Sequence, residues 1–239
     1  MKSVDNYKDS AREFYLNGCS VGEWKRTKTY DRFMGILKNI YDENLKDGFA
    51  LESKYNYSKD LRPYAWEYDN SFIDILFENN IHNIFKKIVS ANVSLSHIQV
   101  RNVTSFPDGK TSYMDWHRDS YNYNNTPAGN FPPGYKINFY PNFENDKDNV
   151  LNVIPGSHIK TFSDRDEDYK QIRPENILKI DTSNTNFILF NIGILHATGP
   201  AKEKNIRIIY NFNHDCVLDD YKDQVGCLEK WKEGCITYG

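Results

Sequence analysis

At 239 residues the chain is long enough for one well-buried domain with helical additions. Hydrophobic content of 39%, charged content of 26% and a net charge of −3 are ordinary for a globular protein, and they speak against a nucleic-acid partner, whose footprint is basic. No apolar run of about 18 residues is present, so no membrane span is expected, and residues 1–6 lack the apolar core of a signal peptide. The cysteines Cys19, Cys216, Cys227 and Cys235 form no C-x-x-C pair, which fits free thiols in a reducing, cytoplasmic setting. A zinc site built from the last three beside His214 is a minor alternative.

Residues 1–94 read as mainly helical. Phe33, Ile36, Leu37, Ile40 and Tyr41 fall at helical spacing and predict an amphipathic helix over 27–45. A second apolar stripe, Ile73, Ile75, Leu76, Ile81, Ile84, Phe85 and Ile88, predicts one helix over 71–90. Both stripes are expected to pack on the rest of the domain. The polar, Tyr-rich stretch 53–68 reads as irregular.

From residue 95 the period becomes two. Residues 96–104 alternate, with His97, Gln99, Arg101 and Val103 on one face and Ile98 and Val100 on the other. Further strands are expected at 113–117, 135–140, 150–154, 176–180, 186–191 and 207–213. Short strands parted by Pro, Gly, Asn and Asp predict a sandwich or barrel, and a jelly roll over 95–213 leaves an interior mouth for ligands. Residues 121–134 are rich in Asn, Pro and Gly and read as a loop that covers that mouth. Residues 214–239 form a C-terminal extension, so the whole is one domain with a mostly β core and N-terminal helices.

Chemistry concentrates in three pieces. Trp116-His117-Arg118-Asp119 is an H-x-D, His196 lies in Leu195-His196-Ala197-Thr198, and Arg207 follows His196 by eleven residues inside an apolar strand. Two neutral imidazoles and a carboxylate suit one face of an octahedral Fe(II), leaving three positions open. An arginine on a nearby strand is a fixed, always-charged fork for a carboxylate. His158 is the competing histidine, but it sits in a Pro-Gly turn with no strand-borne arginine behind it.

This order of motifs, with Leu151-Asn152-Val153-Ile154-Pro155-Gly156-Ser157-His158 between the two histidines, resembles the Fe(II)/2-oxoglutarate-dependent oxygenases, and most of all their phytanoyl-CoA dioxygenase-like branch. The resemblance covers roughly residues 95–213. It implies a double-stranded β-helix and a hydroxylase that uses Fe(II), 2-oxoglutarate and O2. His117, Asp119 and His196 are then the metal ligands and catalytic centre, and Arg207 with Thr198 takes the distal carboxylate of 2-oxoglutarate. Gln99, Lys136 and Asn138 are candidates to hold its 2-oxo acid end. In related halogenases a glycine or alanine replaces the carboxylate ligand, so Asp119 favours hydroxylation.

The period-two rule places Asn211 and Asn213 on the face of Arg207. With Arg101 and Asp115 they suggest a small polar substrate such as a free amino acid, with Asp115 receiving an amine or orienting an imidazole. Trp231 is a further candidate to fold over the mouth. Nothing favours a CoA thioester, which wants a basic groove, and nothing fixes an oligomeric state. Two alternatives stay open. The same scaffold also supports desaturation, epimerisation or cyclisation, and a non-catalytic metal-binding cupin-like module is the other.

Overall fold

Helices gather at the start of the chain, and strands from both ends close around one another. The computed structural model describes residues 7–55, 57–61, 65–89, 93–104, 115–119, 134–143, 150–181, 184, 186–198 and 204–214. In chain order these form α1 (Tyr7–Asn17), β1 (Cys19–Glu23), α2 (Lys28–Tyr41), β2 (Glu52–Tyr55), β3 (Ser58–Leu61), α3 (Ala65–Tyr68), α4 (Ser71–Glu78), α5 (Ile81–Val89) and β4 (Val93–Val103). There follow β5 (Gly134–Phe139), β6 (Val150–Val153), α6 (Arg165–Tyr169), a 3-10 turn (Pro174–Asn176), β7 (Leu178–Asp181), β8 (Asn186–Asn191), β9 (His196–Thr198) and β10 (Asn205–His214).

Among the described residues the strands make two antiparallel sheets. The large one runs β1-β8-β5-β10-β4-β3-β2, and the small one runs β7-β6-β9. Cross-strand registers align the large sheet into rows. One row is Asp60, Arg101 and Arg207. The next is Gln99, Ile209, Asn138 and Ile188, and the third is His97, Asn211, Lys136, Phe190 and Cys19. Because side chains alternate along a strand, all three rows share one face. That face meets the small sheet through a core of Cys19, Tyr140, Leu151, Val153, Ile180, Ile188, Phe190 and Ile194. The opposite face, with Ile98, Val100, Ile137, Phe139, Phe187, Leu189, Ile208 and Tyr210, packs on the helices.

The helix stripes do what their spacing predicts. Tyr30, Phe33, Leu37, Ile40 and Tyr41 bury one side of α2, and Thr27 caps it by accepting the Tyr30 N–H at 3.2 Å. Phe33, fully buried, stacks on Phe139 of β5 at 5.8 Å and meets Phe72 of α4 edge-on at 5.5 Å.

Three expectations are corrected. The helix over 71–90 is two helices, because Asn79 donates its side-chain amide to the Ile75 carbonyl at 2.7 Å and Asn80 takes a left-handed φ of 56°. The apolar stripe continues across the break, so period alone did not reveal it. Residues 53–68 are not irregular: β2 and β3 form a hairpin that adds to β4, and α3 follows. Residues 1–94 are therefore not just a helical part, since β1, β2 and β3 complete both edges of the large sheet. Of the strand expected over 113–117, only a bridge at His117 lies within the described residues. The 121–133 loop, the C-terminal extension beyond 214, and with it Trp231, lie outside them.

Phe33→Ala removes the ring that joins two helices to the sheet. It should cost about 3–5 kcal/mol in chemical denaturation, and Phe33→Leu markedly less.

Candidate metal centre

The H-x-D segment is laid across the start of β9. His117 N–H donates to the His196 carbonyl at 2.9 Å, His196 N–H returns the bond at 3.0 Å, and Asp119 N–H donates to Ile192 at 3.1 Å. Backbone pairing thus sets the two histidines side by side, with ring centroids 4.3 Å apart. Each Nδ1 lies on a carbonyl two residues back, Asp115 O at 2.7 Å and Ile194 O at 3.0 Å. Those carbonyls accept the Nδ1 proton, so both Nε2 atoms are left as bases. His117 Nε2 is 3.7 Å from Asp119 Oδ1, and His196 Nε2 is 3.5 Å from Asp119 Oδ2. The three ligand atoms lie within 4.8 Å of one another, and His117 Nε2 is buried with no hydrogen-bond partner. An orphaned imidazole nitrogen aimed at a carboxylate and a second imidazole fits a divalent cation of the iron type.

Arg118, between the two ligands, points the other way and is fully buried. Its Nε donates to Asp168 Oδ2 at 2.7 Å and its Nη2 to the other carboxylate oxygen. Its Nη1 donates to the Ser157 carbonyl at 2.7 Å and to the Gly193 carbonyl. Tyr169 OH donates to the Trp116 carbonyl. The short helix α6 therefore supplies two side chains that brace the ligand turn. Ser157 Oγ in turn accepts the Leu195 N–H at 2.8 Å. His158 is not a ligand: its Nε2 meets the Tyr15 carbonyl at 3.1 Å, and its ring fills the place a Cβ would take on Gly18, whose φ is +79°. Sequence reasoning missed Arg118, Asp168 and Tyr169. A charge buried inside the H-x-D was the only local signal for Arg118, and the acidic α6 looked like a solvated surface.

Lys136 Nζ lies 2.7 Å from Asp119 Oδ2, an ion pair whose alignment falls outside that of a hydrogen bond. Burial alone would raise the Asp119 carboxyl. The Lys136 ammonium and the two imidazoles outweigh it and hold Asp119 well below the usual carboxylate range. Burial pushes His196 down to about 3, against the opposing pull of Asp119. Both groups are thus in their ligand forms at neutral pH.

Arg207 is buried on the inner face, as its strand position requires, and Thr198 shares a strand face with His196. Asn138 is buried beside them, and Asn211 is half-buried in the row of Lys136. Gln99 and Arg101 lie on the predicted face, but their hydrogen bonds run sideways. Gln99 Nε2 donates to Asp60 Oδ2 at 2.8 Å, and Arg101 donates to both Asp60 oxygens at 2.9–3.3 Å. Asp60, unremarked in the sequence, is fully buried among them. Asp115 differs from expectation too: its residue is exposed, and its backbone carbonyl rather than its carboxylate orients His117. The side chain of Asn213 lies outside the described set.

Asp168→Ala leaves the Arg118 guanidinium buried without its carboxylate, and should cost about 3–5 kcal/mol with a matching loss of divalent-metal affinity. For the metal-free protein, stability should fall as pH drops below about 6.5, because the unfolded chain takes up a proton that His196 refuses until about 3. The slope contributed is about 1.4 kcal/mol per pH unit. Denaturation at pH 7, 6 and 5 should show it, and His196→Gln should flatten it.

No family model and no curated protein sequence matches the chain. Solved structures do. The non-haem alpha-ketoglutarate-dependent epimerase SnoN from nogalamycin biosynthesis superposes with a TM-score of 0.64 at 9% identity, covering 89% of this chain and 82% of SnoN. EctD from S. alaskensis, solved with 2-oxoglutarate and 5-hydroxyectoine, gives 0.63 at 16% identity over 89% and 76%. HygX from Streptomyces hygroscopicus, with nickel and 2-oxoglutarate bound, gives 0.59 at 12% over 87% of each chain. In its two facing sheets and their helical cover, this chain has the jelly-roll fold of the non-haem 2-oxoglutarate-dependent enzymes.

Proposed function

We propose that this protein is a non-haem Fe(II)- and 2-oxoglutarate-dependent dioxygenase that hydroxylates an unactivated C–H bond of a small polar metabolite. The observation that carries the reading is the convergence of His117 Nε2, His196 Nε2 and the Asp119 carboxylate within 4.8 Å, across from a buried arginine on the facing sheet. Bound there, Fe(II) with 2-oxoglutarate and O2 supplies the oxidising chemistry.

The chain's own residues do the positioning. His117, Asp119 and His196 hold the metal from one side and leave the other open. Arg207, with Thr198, takes the distal carboxylate of 2-oxoglutarate as a fixed fork. Two residues along a strand advance about 7 Å, so Arg207 stands one such step beyond the row of Asn138. Asn138 Oδ1 is buried without a hydrogen-bond partner, and turning that amide presents its N–H to the 2-oxo acid. Asp60 holds Gln99 and Arg101 beside this site as a preformed wall. The Ile154-Pro155-Gly156-Ser157-His158 turn supports placement in the phytanoyl-CoA dioxygenase-like branch. The buried free thiol of Cys19 supports a reducing, cytoplasmic setting. Among the described residues no helix is long and apolar enough to cross a membrane.

A second reading keeps the cofactors and ends in epimerisation, desaturation or ring closure. The likeness to SnoN, an epimerase, favours keeping it. Product mass separates these outcomes: about +16 for hydroxylation, about −2 for desaturation, and no change for epimerisation.

Anaerobic titration of the purified protein with Fe(II) and 2-oxoglutarate should produce a weak visible metal-to-ligand charge-transfer band. His196→Ala and Arg207→Ala should lose it. A folded wild type without the band would sink the oxygenase reading in favour of a non-catalytic metal-binding module.

A further inference from the structure

We propose that Lys136 is the substrate's anchor, and that the substrate is a small molecule bearing a carboxylate. This inference rests on the oxygenase reading above and assigns Lys136 to the substrate rather than to 2-oxoglutarate.

Charge matching in the protein interior points to this assignment. Buried charges there come in partnered sets. Arg118 has Asp168, and Arg101 has Asp60. Arg207 is the fork for the distal carboxylate of 2-oxoglutarate. Lys136 has Asp119, the one carboxylate within 4 Å of its Nζ among the described residues. Loading the site changes only this last partnership. A divalent cation is neutralised by Asp119 together with the first carboxylate of 2-oxoglutarate. The Lys136 ammonium, with its side chain 17% exposed, then stands at the metal centre without a counter-charge among the described residues. An unmatched cation in such a place is costly, and a bound anion relieves it.

The surroundings suit that anion. In the register of the large sheet Lys136 continues through Asn211 to His97, and all three are half-buried. Cross-strand neighbours stand about 5 Å apart, so ammonium, amide and imidazole, the last with its Nδ1 on Ser96 Oγ at 2.8 Å, form a polar ledge about 10 Å long. On the other side the row passes to Phe190, whose ring is 5.2 Å from His196. The ledge therefore ends at the ligand triad. A carboxylate seated on Lys136 would place the next carbons of the substrate beside the His117, Asp119 and His196 side chains, with a polar tail running toward Asn211 and His97. Oxidation falls within a few bonds of the carboxylate.

The test uses protein loaded anaerobically with Fe(II) and 2-oxoglutarate. It is titrated with free amino acids, short hydroxy acids and the primary amide of each, while the charge-transfer band is followed. The band's intensity reports loading, and its shift reports occupation of the substrate position. At least one carboxylate should shift the band, its amide at least tenfold more weakly. Lys136→Met should weaken that response at least tenfold, and Lys136→Arg should retain most of it. Equal response to acid and amide, an unchanged response in a loaded Lys136→Met protein, or a loaded wild type that answers no carboxylate overturns the proposal. If Lys136→Met does not fold, the acid-against-amide comparison in wild type decides. A folded wild type that never develops the band overturns the parent reading, and this one with it.

Discussion

The Arg118 guanidinium ties together the pieces of chain that supply the candidate metal ligands. It sits between His117 and Asp119, yet its five N–H groups spread to α6, to the turn at Ser157 and to Gly193, which leads into His196. A guanidinium is planar and always charged, so its donors fix direction as well as distance. A buried pair of this kind adds little net stability over an apolar substitute, but its loss on one side is severe. Its value here is geometric. Among the described residues the ligand turn is otherwise held by the two-bond bridge to β9, by Asp119 N–H on the Ile192 carbonyl and by Tyr169 OH on the Trp116 carbonyl, and the guanidinium adds the direction these bonds leave free.

The large sheet divides its labour between two faces. Outward, aromatic and aliphatic side chains bind it to α2, α4 and α5, and this is where apolar burial stabilises the fold. Inward, one half packs against the small sheet, while the other half carries Asp60, Arg101, Arg207, Asn138 and Lys136. Polar groups are tolerated inside because they have partners: Asp60 meets Arg101 and Gln99 on the neighbouring strand, Lys136 meets Asp119 across the site, and Asn138 donates to Tyr140 OH at 3.1 Å. A rigid outer face thereby holds a polar inner one in place, which is what a site that must position several ligands requires.

Much of this was legible in the sequence. The H-x-D, His196 and Arg207 stand where their spacing puts them, and the alternation in 96–104 gave the correct faces for His97, Gln99, Arg101, Ile98 and Val100. The helix expected over 27–45 followed from its stripe, and it runs over Lys28–Tyr41. What escaped notice depended on partners far along the chain. β1, β2 and β3 are short and polar, and become strands because β8 and β4 offer edges to pair with. Asp60 looked like any surface carboxylate until Arg101 and Gln99 closed around it. Asp168 is fifty residues from Arg118, and only the folded chain brings them together. The break at Asn79 and Asn80 is a local signal that an uninterrupted apolar stripe concealed.

The order β1-β8-β5-β10-β4 also bears on how the protein comes into being on the ribosome. A chain grown only to residue 185 holds His117 and Asp119 but has neither β8 for β1, nor β9 to carry His196, nor β10 to part β4 from β5. Its helices, the β2-β3-β4 part of the large sheet and the β6-β7 pair can form early from local contacts, whereas the centre of the large sheet waits for β8 and β10. The three candidate ligands therefore come together only after β9 has been made, some eighty residues behind His117. A cation held by this triad would find only His117 and Asp119 on the shorter chain and all three groups once β9 is in place.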